Sequence, residues 1–288
     1  MKGYIISFSA IILLSSMMLF SVFYSQNAQD RNYSFNDIKK YSKAEFVKDD
    51  LGFDLSEILG TQISIQIEPN LEITFIETLP AEYSKIAGIN KFKEFAETSY
   101  SAVNNTKIKI GSERISSSVP VKFSNGLVYE YGFGAGSSAE FFAENRNTNA
   151  VSIDLNLNVN ASSIQVNETL FTSSPDLTVN FNYSDLNSLN EKHEILQVNS
   201  LSDNVIVIRF SGSAEDVIEI HFGSFEGKIN AVRVWNKTFG QKKTLLALKA
   251  VMPQLDLNSG LKVFADIDLN YFQQDLNSSS LIELKKFS

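Results

Sequence analysis

A chain of 288 residues with 25 Lys and Arg against 33 Asp and Glu carries a formal net charge of −8. Its basic residues are dispersed apart from short pairs such as Lys39-Lys40, Lys242-Lys243 and Lys285-Lys286, which argues against nucleic acid and anionic membrane surfaces as partners. Cysteine is absent, so a disulfide framework, a Cys-based zinc site and a thiol nucleophile are all excluded.

From Gly3 to Gln29 there is no charged residue, and Tyr4 to Tyr24 is apolar apart from scattered serines. At about 1.5 Å per residue this run reaches roughly 30 Å as a helix, the thickness of a bilayer core. It is longer than the apolar part of a cleaved secretory signal, and Gln26 spoils the small-x-small site at Ala28. Residues 4–24 are therefore predicted to be a transmembrane helix. Ser9, Ser16, Ser21 and Ser25 offer a face of small residues for a partner helix, or bond back to the preceding turn. Lys2 and the terminal amine on one flank are nearly balanced by Arg31, Lys39 and Lys40 on the other. The C-terminal region is expected outside the membrane because the rest of the chain reads as secreted-type material.

About 260 residues follow, enough to bury roughly 70 to 75% of their unfolded surface. Residues 25–60 are predicted to form a helical stalk: Phe35, Ile38, Tyr41, Val47, Leu51, Leu55 and Ile58 recur at helical steps between charged residues. No proline occurs before Pro69, so the apolar helix is free to run on as one long rod; against that, Ser34 with Asp37 three residues on reads as a helix start and implies a break near 26–33. After Gly60 the period changes to two, giving strands in "TQISIQIEPN" and "LEITFIETLP". Pro80 is expected to open a helix of about five turns with Tyr83, Ile86, Phe92, Phe95 and Tyr100 on one face. In "VPVKFSNGLVYEYGF" two alternating runs flank Asn125-Gly126, a hairpin signal. Further strands are predicted in "AVSIDLNLNV", "DLTVNFNYS", "HEILQV", "NVIVIRF", "DVIEIHF", "KINAVRVW" and "KVFADIDLNYF", with "NVIVIRF" central because both its faces are apolar. A second helix is expected in "GQKKTLLALKAVM", ended by Pro253. The fold class is thus mostly β with α: a membrane helix, an amphipathic stalk and an antiparallel, sandwich-like ectodomain with one or two packed helices. A strand/helix lobe over 61–145 and a sandwich-like region over 146–288 are set apart by the polar stretch "ENRNTNA", unless 61–288 is one domain.

Candidate chemistry is sparse. Gly132, Gly134 and Gly136 match neither a dinucleotide fingerprint nor a Walker loop and read as a turn. His221 and Glu219 share a strand face, but no G-x-S-x-G elbow accompanies them. Asp266, Asp268 and Asn270 are candidate calcium ligands, although a strand spaces same-face side chains by about 6.5 to 7 Å, too far to converge on one ion. Trp235 and Arg233 share a face and are the candidate ligand-binding pair. Sequons at Asn32, Asn104, Asn160, Asn167, Asn182, Asn236 and Asn277 would carry glycans if the chain is exported. No cofactor motif is read and an enzyme is not expected.

Lys2-Gly3 before an uninterrupted apolar helix, then an amphipathic helix and a β-rich head, resembles archaeal pilin-like proteins with a class III leader. That resemblance implies cleavage after Gly3, a mature chain beginning at Tyr4, and assembly through the apolar helices. Phe8 stands at the fifth mature position, where many pilins place Glu. "FEGKINAVRVWN" (Phe225–Asn236) resembles a near-terminal strand of LamG-like, concanavalin-type jelly rolls, with Asn230 and Ala231 in place of the usual Asp-Glu. It implies a sandwich that binds glycan or protein. The function expected is a membrane-anchored extracytoplasmic surface protein, with a pilin-like subunit and a glycan-binding module as alternatives.

Overall fold

The computed structural model of the chain describes residues 2–67, 69–81, 84–111, 118–133, 136–144, 152–159, 164–185, 191–210, 216–238, 240, 242–252, 261–273 and 276–284. Two compact units divide it, Met1–Val47 and Lys48–Ser288.

The first unit is helical. Helix α1 (Lys2–Leu59) passes through residues 26–33 without interruption, as one rod and without the break implied by Ser34 and Asp37. Residues 4–51 contain neither proline nor glycine, so every position can donate to the i→i−4 ladder. Side chains of residues 1–15 and 27–36 lie outside the described set. Of the predicted span 4–24, the described part exposes Met17, Met18, Leu19, Phe20, Val22, Phe23 and Tyr24. Among the described residues no helix is long and apolar enough to cross a membrane.

The second unit holds the last turns of α1 and all the strands. In chain order these are β1 (Gln62–Gln66), β2 (Leu71–Leu79), helix α2 (Lys85–Phe95), a π turn (Ala96–Tyr100), α3 (Ser101–Asn104), β3 (Lys107–Gly111), β4 (Ser118–Phe123), β5 (Leu127–Phe133), β6 (Ser137–Ala143), β7 (Ser152–Val159) and β8 (Ile164–Thr169). There follow β9 (Leu177–Asp185), β10 (Glu191–Val198), β11 (Asp203–Phe210), β12 (Val217–Phe225), β13 (Lys228–Asn236), β14 (Thr244–Met252), β15 (Val263–Gln273) and β16 (Leu276–Glu283). One sheet runs β1-β2-β14-β7-β9-β10; the other runs β16-β15-β4-β5-β6-β13-β12-β11-β8, with β3 also paired to β15. Segments from either side of residue 145 therefore contribute to both sheets.

The sheets face each other across an aromatic core, as period-two strands with one apolar face require. Phe75 of β2 stacks on Tyr129 of β5 with centroids 4.4 Å apart and meets Phe123 edge-on at 5.7 Å. Strand β9 shows the pattern in pure form: Leu177, Val179, Phe181, Tyr183 and Asp185 are buried and the residues between them are not.

Four sequence expectations are revised. The segment predicted as a second helix is β14, lying between β2 and β7. Its Leu and Ala content favours helix, but Thr244, Leu246, Leu248, Ala250 and Met252 are all buried on one face, and tertiary packing overrides local propensity. Strand β11 is not central but next to the sheet edge, between β12 and β8. The sheets are antiparallel except that β7 and β9 pair in parallel: the intervening β8 joins the opposite sheet, a crossover that returns the chain in the same direction. Helix α2 begins at Lys85 rather than Pro80, with Ser84 as its N-cap accepting from the Ala87 N–H at 3.2 Å.

The hairpin expected at Asn125-Gly126 forms, through a three-residue loop, Ser124–Gly126, in which Gly126 and not Asn125 takes the positive φ. Gly126 (φ 89) closes the β4–β5 turn through its N–H to Phe123 O at 2.9 Å. Glu226 (φ 50) and Gly227 (φ 78) form a two-residue turn between β12 and β13 with both angles positive, the twist-matched type.

Candidate binding surfaces

Strand register lines up Glu130, Glu140, Arg233 and His221 across β5, β6, β13 and β12 on the outward face of the larger sheet. Arg233 Nε donates to Glu140 Oε2 at 3.1 Å and its Nη2 to Glu226 Oε2 at 2.7 Å, with the guanidinium 5.2 Å from the Phe225 ring centroid. The hydrogen bond to Glu226 raises the Arg233 pKa and, reciprocally, holds the Glu226 carboxyl below its usual range. Lys228 reaches Glu140 at 2.9 Å and lies 4.3 Å from the Phe142 ring. Burial pushes the Glu130 carboxyl up, against the pull of Lys228.

Trp235 is the next outward residue along β13, as the alternation predicts. Lys237 Nζ sits 3.6 Å from its ring centroid and is itself held by Glu219 at 2.5 Å. A Cβ at Gly136 would lie 2.4 Å from the Asn236 carbonyl oxygen and 3.0 Å from the indole nitrogen, so glycine allows the close approach of the β13 backbone and of the ring. Arg233 and Trp235 are thus brought side by side, but the guanidinium is closed by two carboxylates. A ligand there would have to displace one of them.

His221 lies on the same face. Its Nδ1 meets Asp203 Oδ1 at 3.0 Å and its Nε2 faces Glu219 at 3.8 Å. The nitrogen that a serine hydroxyl would occupy in a hydrolase is turned toward a second carboxylate. Asp266, on β15, is buried and pairs with Lys122 at 3.4 Å, whereas Asp268 is exposed and a register shift interrupts the pairing with β16 between Ala265 and Asp268. Among the described residues no cluster of three His, Asp or Glu could hold a metal. Lys2, Gly3, Tyr4 and Ser9 fall where side chains are not described; Ser16, Ser21 and Ser25 are exposed.

Two grooves are formed by described residues. One, of about 480 Å³, lies on the smaller sheet among Asn158, Asn182, Ser184, His193, Leu245 and Ala247. Its His193 Nδ1 and Asn182 Oδ1 are 2.7 Å apart. The lining is mostly apolar, with amide, hydroxyl and imidazole groups set beside Leu245 and Ala247. The other, of about 570 Å³, lies between the end of α1 and α2: Ile58, Gly88, Phe92 and Phe95 form the apolar part, with Asp54, Glu57 and Lys91 around it. Burial, then the charges of Asp50 and Glu57, push the Asp54 carboxyl up.

Two buried polar centres, around Glu77 and Asn236, carry roles not read from the sequence, although Asn236 stands in a sequon. Glu77 Oε2 receives Lys85 Nζ at 2.5 Å, Thr61 Oγ1 at 2.7 Å and Tyr129 OH at 3.3 Å. Lys85 also sits 4.3 Å from the Tyr131 ring, and its burial lowers its pKa against the pull of Glu77. Asn236, fully buried, donates to Leu79 O at 3.2 Å and Lys242 O at 2.8 Å and accepts from Thr238 Oγ1 at 2.6 Å. Its sequon is therefore closed to glycosylation in the folded chain, while Asn167 and Asn277 stand exposed. The sequence signal for Glu77 is present: it occupies an inward phase of "LEITFIETL", where an unpartnered charge would not be tolerated.

No family model, no curated protein and no solved structure matches this chain.

Proposed function

We propose that this is a single-span, membrane-anchored surface protein whose extracytoplasmic β-sandwich serves a binding or structural role rather than a catalytic one. The observation that carries the reading is the charge-free apolar run at 4–24, set on the same helix whose later turns place Leu51 and Leu55 in the sandwich unit with no exposure. A run of that length without charge is costly to leave in water and matches a bilayer core. The groove around Asn158, Asn182 and His193 suits a polyhydroxyl ligand such as a glycan, because it pairs amide and hydroxyl groups with apolar side chains.

The test is fractionation of native cells followed by an alkaline wash and protease treatment of intact cells. The chain is expected in the washed membrane pellet, with residues 48–288 cleaved from outside. Release by the alkaline wash would overturn the anchor, and full protection would overturn the orientation.

A pilin-like subunit is the second reading, favoured by the unbroken helix Lys2–Leu59. Intact mass and N-terminal sequencing separate the two. A mature chain starting at Tyr4 supports the pilin-like reading, and retention of Met1-Lys2-Gly3 supports the simple anchor.

A further inference from the structure

Helix α1 is segregated by charge beyond its apolar run. Residues 37–48 hold Lys39, Lys40, Lys43 and Lys48 against Asp37 and Glu45, a net charge of +2; residues 49–59 hold Asp49, Asp50, Asp54 and Glu57 with no base, a net charge of −4. The basic stretch is also unusually apolar for a polar helix surface: Ile38 is 59% exposed, Tyr41 61% and Phe46 64%. Large exposed apolar side chains gathered in so short a stretch mark a surface that meets another macromolecule.

The acidic stretch has the complementary character. It forms one wall of the groove in which Ile58, Phe92 and Phe95 are apolar and Asp54 and Glu57 are acidic; Phe95, and Phe53 next to Asp54 in the chain, are both 45% exposed. Asp50 and Glu57 crowd Asp54 electrostatically, a repulsion that an incoming cation would relieve. Among the described residues lining the groove, Lys91 is the one base.

We propose that the basic, aromatic segment 38–46 of one copy of this chain docks on the acidic, apolar groove formed by Asp54, Glu57, Ile58, Phe92 and Phe95 of a second copy. Each copy carries both halves of the contact, so the occupant needs no other protein. Opposite net charges steer the encounter and set its register, and burial of Tyr41 and Phe46 against Phe95 supplies the apolar part. This goes beyond the anchoring and pilin-like readings, since it depends neither on the apolar run nor on removal of residues 1–3.

Charge reversal in the full-length protein, held in mild nonionic detergent, tests it by sedimentation across a concentration series. The wild type is expected to self-associate and to weaken as salt is raised to about 0.5 M, where exposed charges are screened. Lys39→Glu with Lys43→Glu, and separately Asp54→Lys with Glu57→Lys, are each expected to weaken self-association by at least about tenfold. Mixing the two variants is expected to restore it, because the basic segment of one then meets the acidic groove of the other. Circular dichroism and melting confirm that each variant folds. Since the chain contains no cysteine, a mixture of Tyr41→Cys and Phe95→Cys chains should form a disulfide between copies. A monomer under all conditions, variants that associate like the wild type, or failure of the mixed variants to recover would each overturn the docking. Of these, wild-type association in both variants would leave assembly through the apolar helices standing.

Discussion

Glu77 takes an inward position on β2, after Leu71, Ile73 and Phe75 and before Leu79. The chain tolerates it because Lys85, Thr61 and Tyr129 saturate one carboxylate oxygen and the Thr78 N–H reaches the other at 3.2 Å. Removing one member of such a buried pair leaves the other charged and unpaired, at a cost of about 3–5 kcal/mol, whereas replacing both with apolar groups is close to neutral. Lys85→Met alone is therefore expected to destabilise by several kcal/mol, and Glu77→Leu with Lys85→Met by much less, as read by denaturant unfolding of the purified protein. Trp235 poses the opposite case, a large side chain on the outward face with an ammonium over its ring. Trp235→Ala should leave stability within about 1 kcal/mol if the indole acts mainly at the surface. A loss of several kcal/mol would show that its packing against the Gly136 segment is part of the core. The sequence places Trp235 and Arg233 on one face through simple alternation. It does not show that Glu140 and Glu226 close the guanidinium, because Glu140 reaches Arg233 through sheet register and not through proximity in the chain.

At the level of elements, the edge of β3 illustrates how the helical segment serves the sheet. Strand β3 pairs with β15 on one side. On the other, the Ile108 N–H is accepted by Ser101 Oγ at 3.1 Å and the Ile110 N–H by Glu97 Oε1 at 2.8 Å. Side chains of the helical segment thus occupy backbone donors that would otherwise recruit a foreign strand. Glu97→Ala with Ser101→Ala is expected to cost about 2 kcal/mol, from two lost hydrogen bonds, and to raise aggregation on heating, which light scattering during a melt would detect. Strands of this kind are legible when one face is wet, as in β9, where alternation is complete. Strand β14 departs from the helix expected there because "TLLALKAVM" suits a helix locally, whereas its strand state is set by β2 and β7 on either side. Of the two courses open to residues 26–33, the continuous rod is the one taken: a capping pattern is a local preference, and an uninterrupted helix on both sides outweighs it.

For the molecule as a whole, the buried phenols set the response to alkali. Burial raises the pKa of Tyr129, Tyr183 and Tyr271, and that of Tyr131 to about 12. Burial, followed by the bond to Asp50, also raises Tyr100. A phenol whose folded pKa lies above its unfolded value of about 10 contributes stability that is complete below pH 10 and lost as pH rises through the folded pKa. Stability is therefore expected to fall from about pH 10 upward, with the Tyr131 share lost by about pH 12. Denaturant midpoints measured against pH would check this, and a midpoint unchanged between pH 9 and 11 would contradict it. The division of strands between two sheets was not legible in the sequence, since it depends on partners far apart, as when Leu79 of β2 pairs with Thr244 of β14.

That same interleaving bears on how the chain is made. Strand β2 is paired by β1 on one side and β14 on the other, so its second flank stays bare until Thr244–Met252 has been synthesised. The larger sheet likewise waits for β15, which joins both β3 and β4. A nascent chain of this topology cannot close its core before nearly all of it has left the ribosome. Closure of the two sheets is therefore a late event that draws on nearly the whole chain, rather than one that proceeds strand by strand during translation.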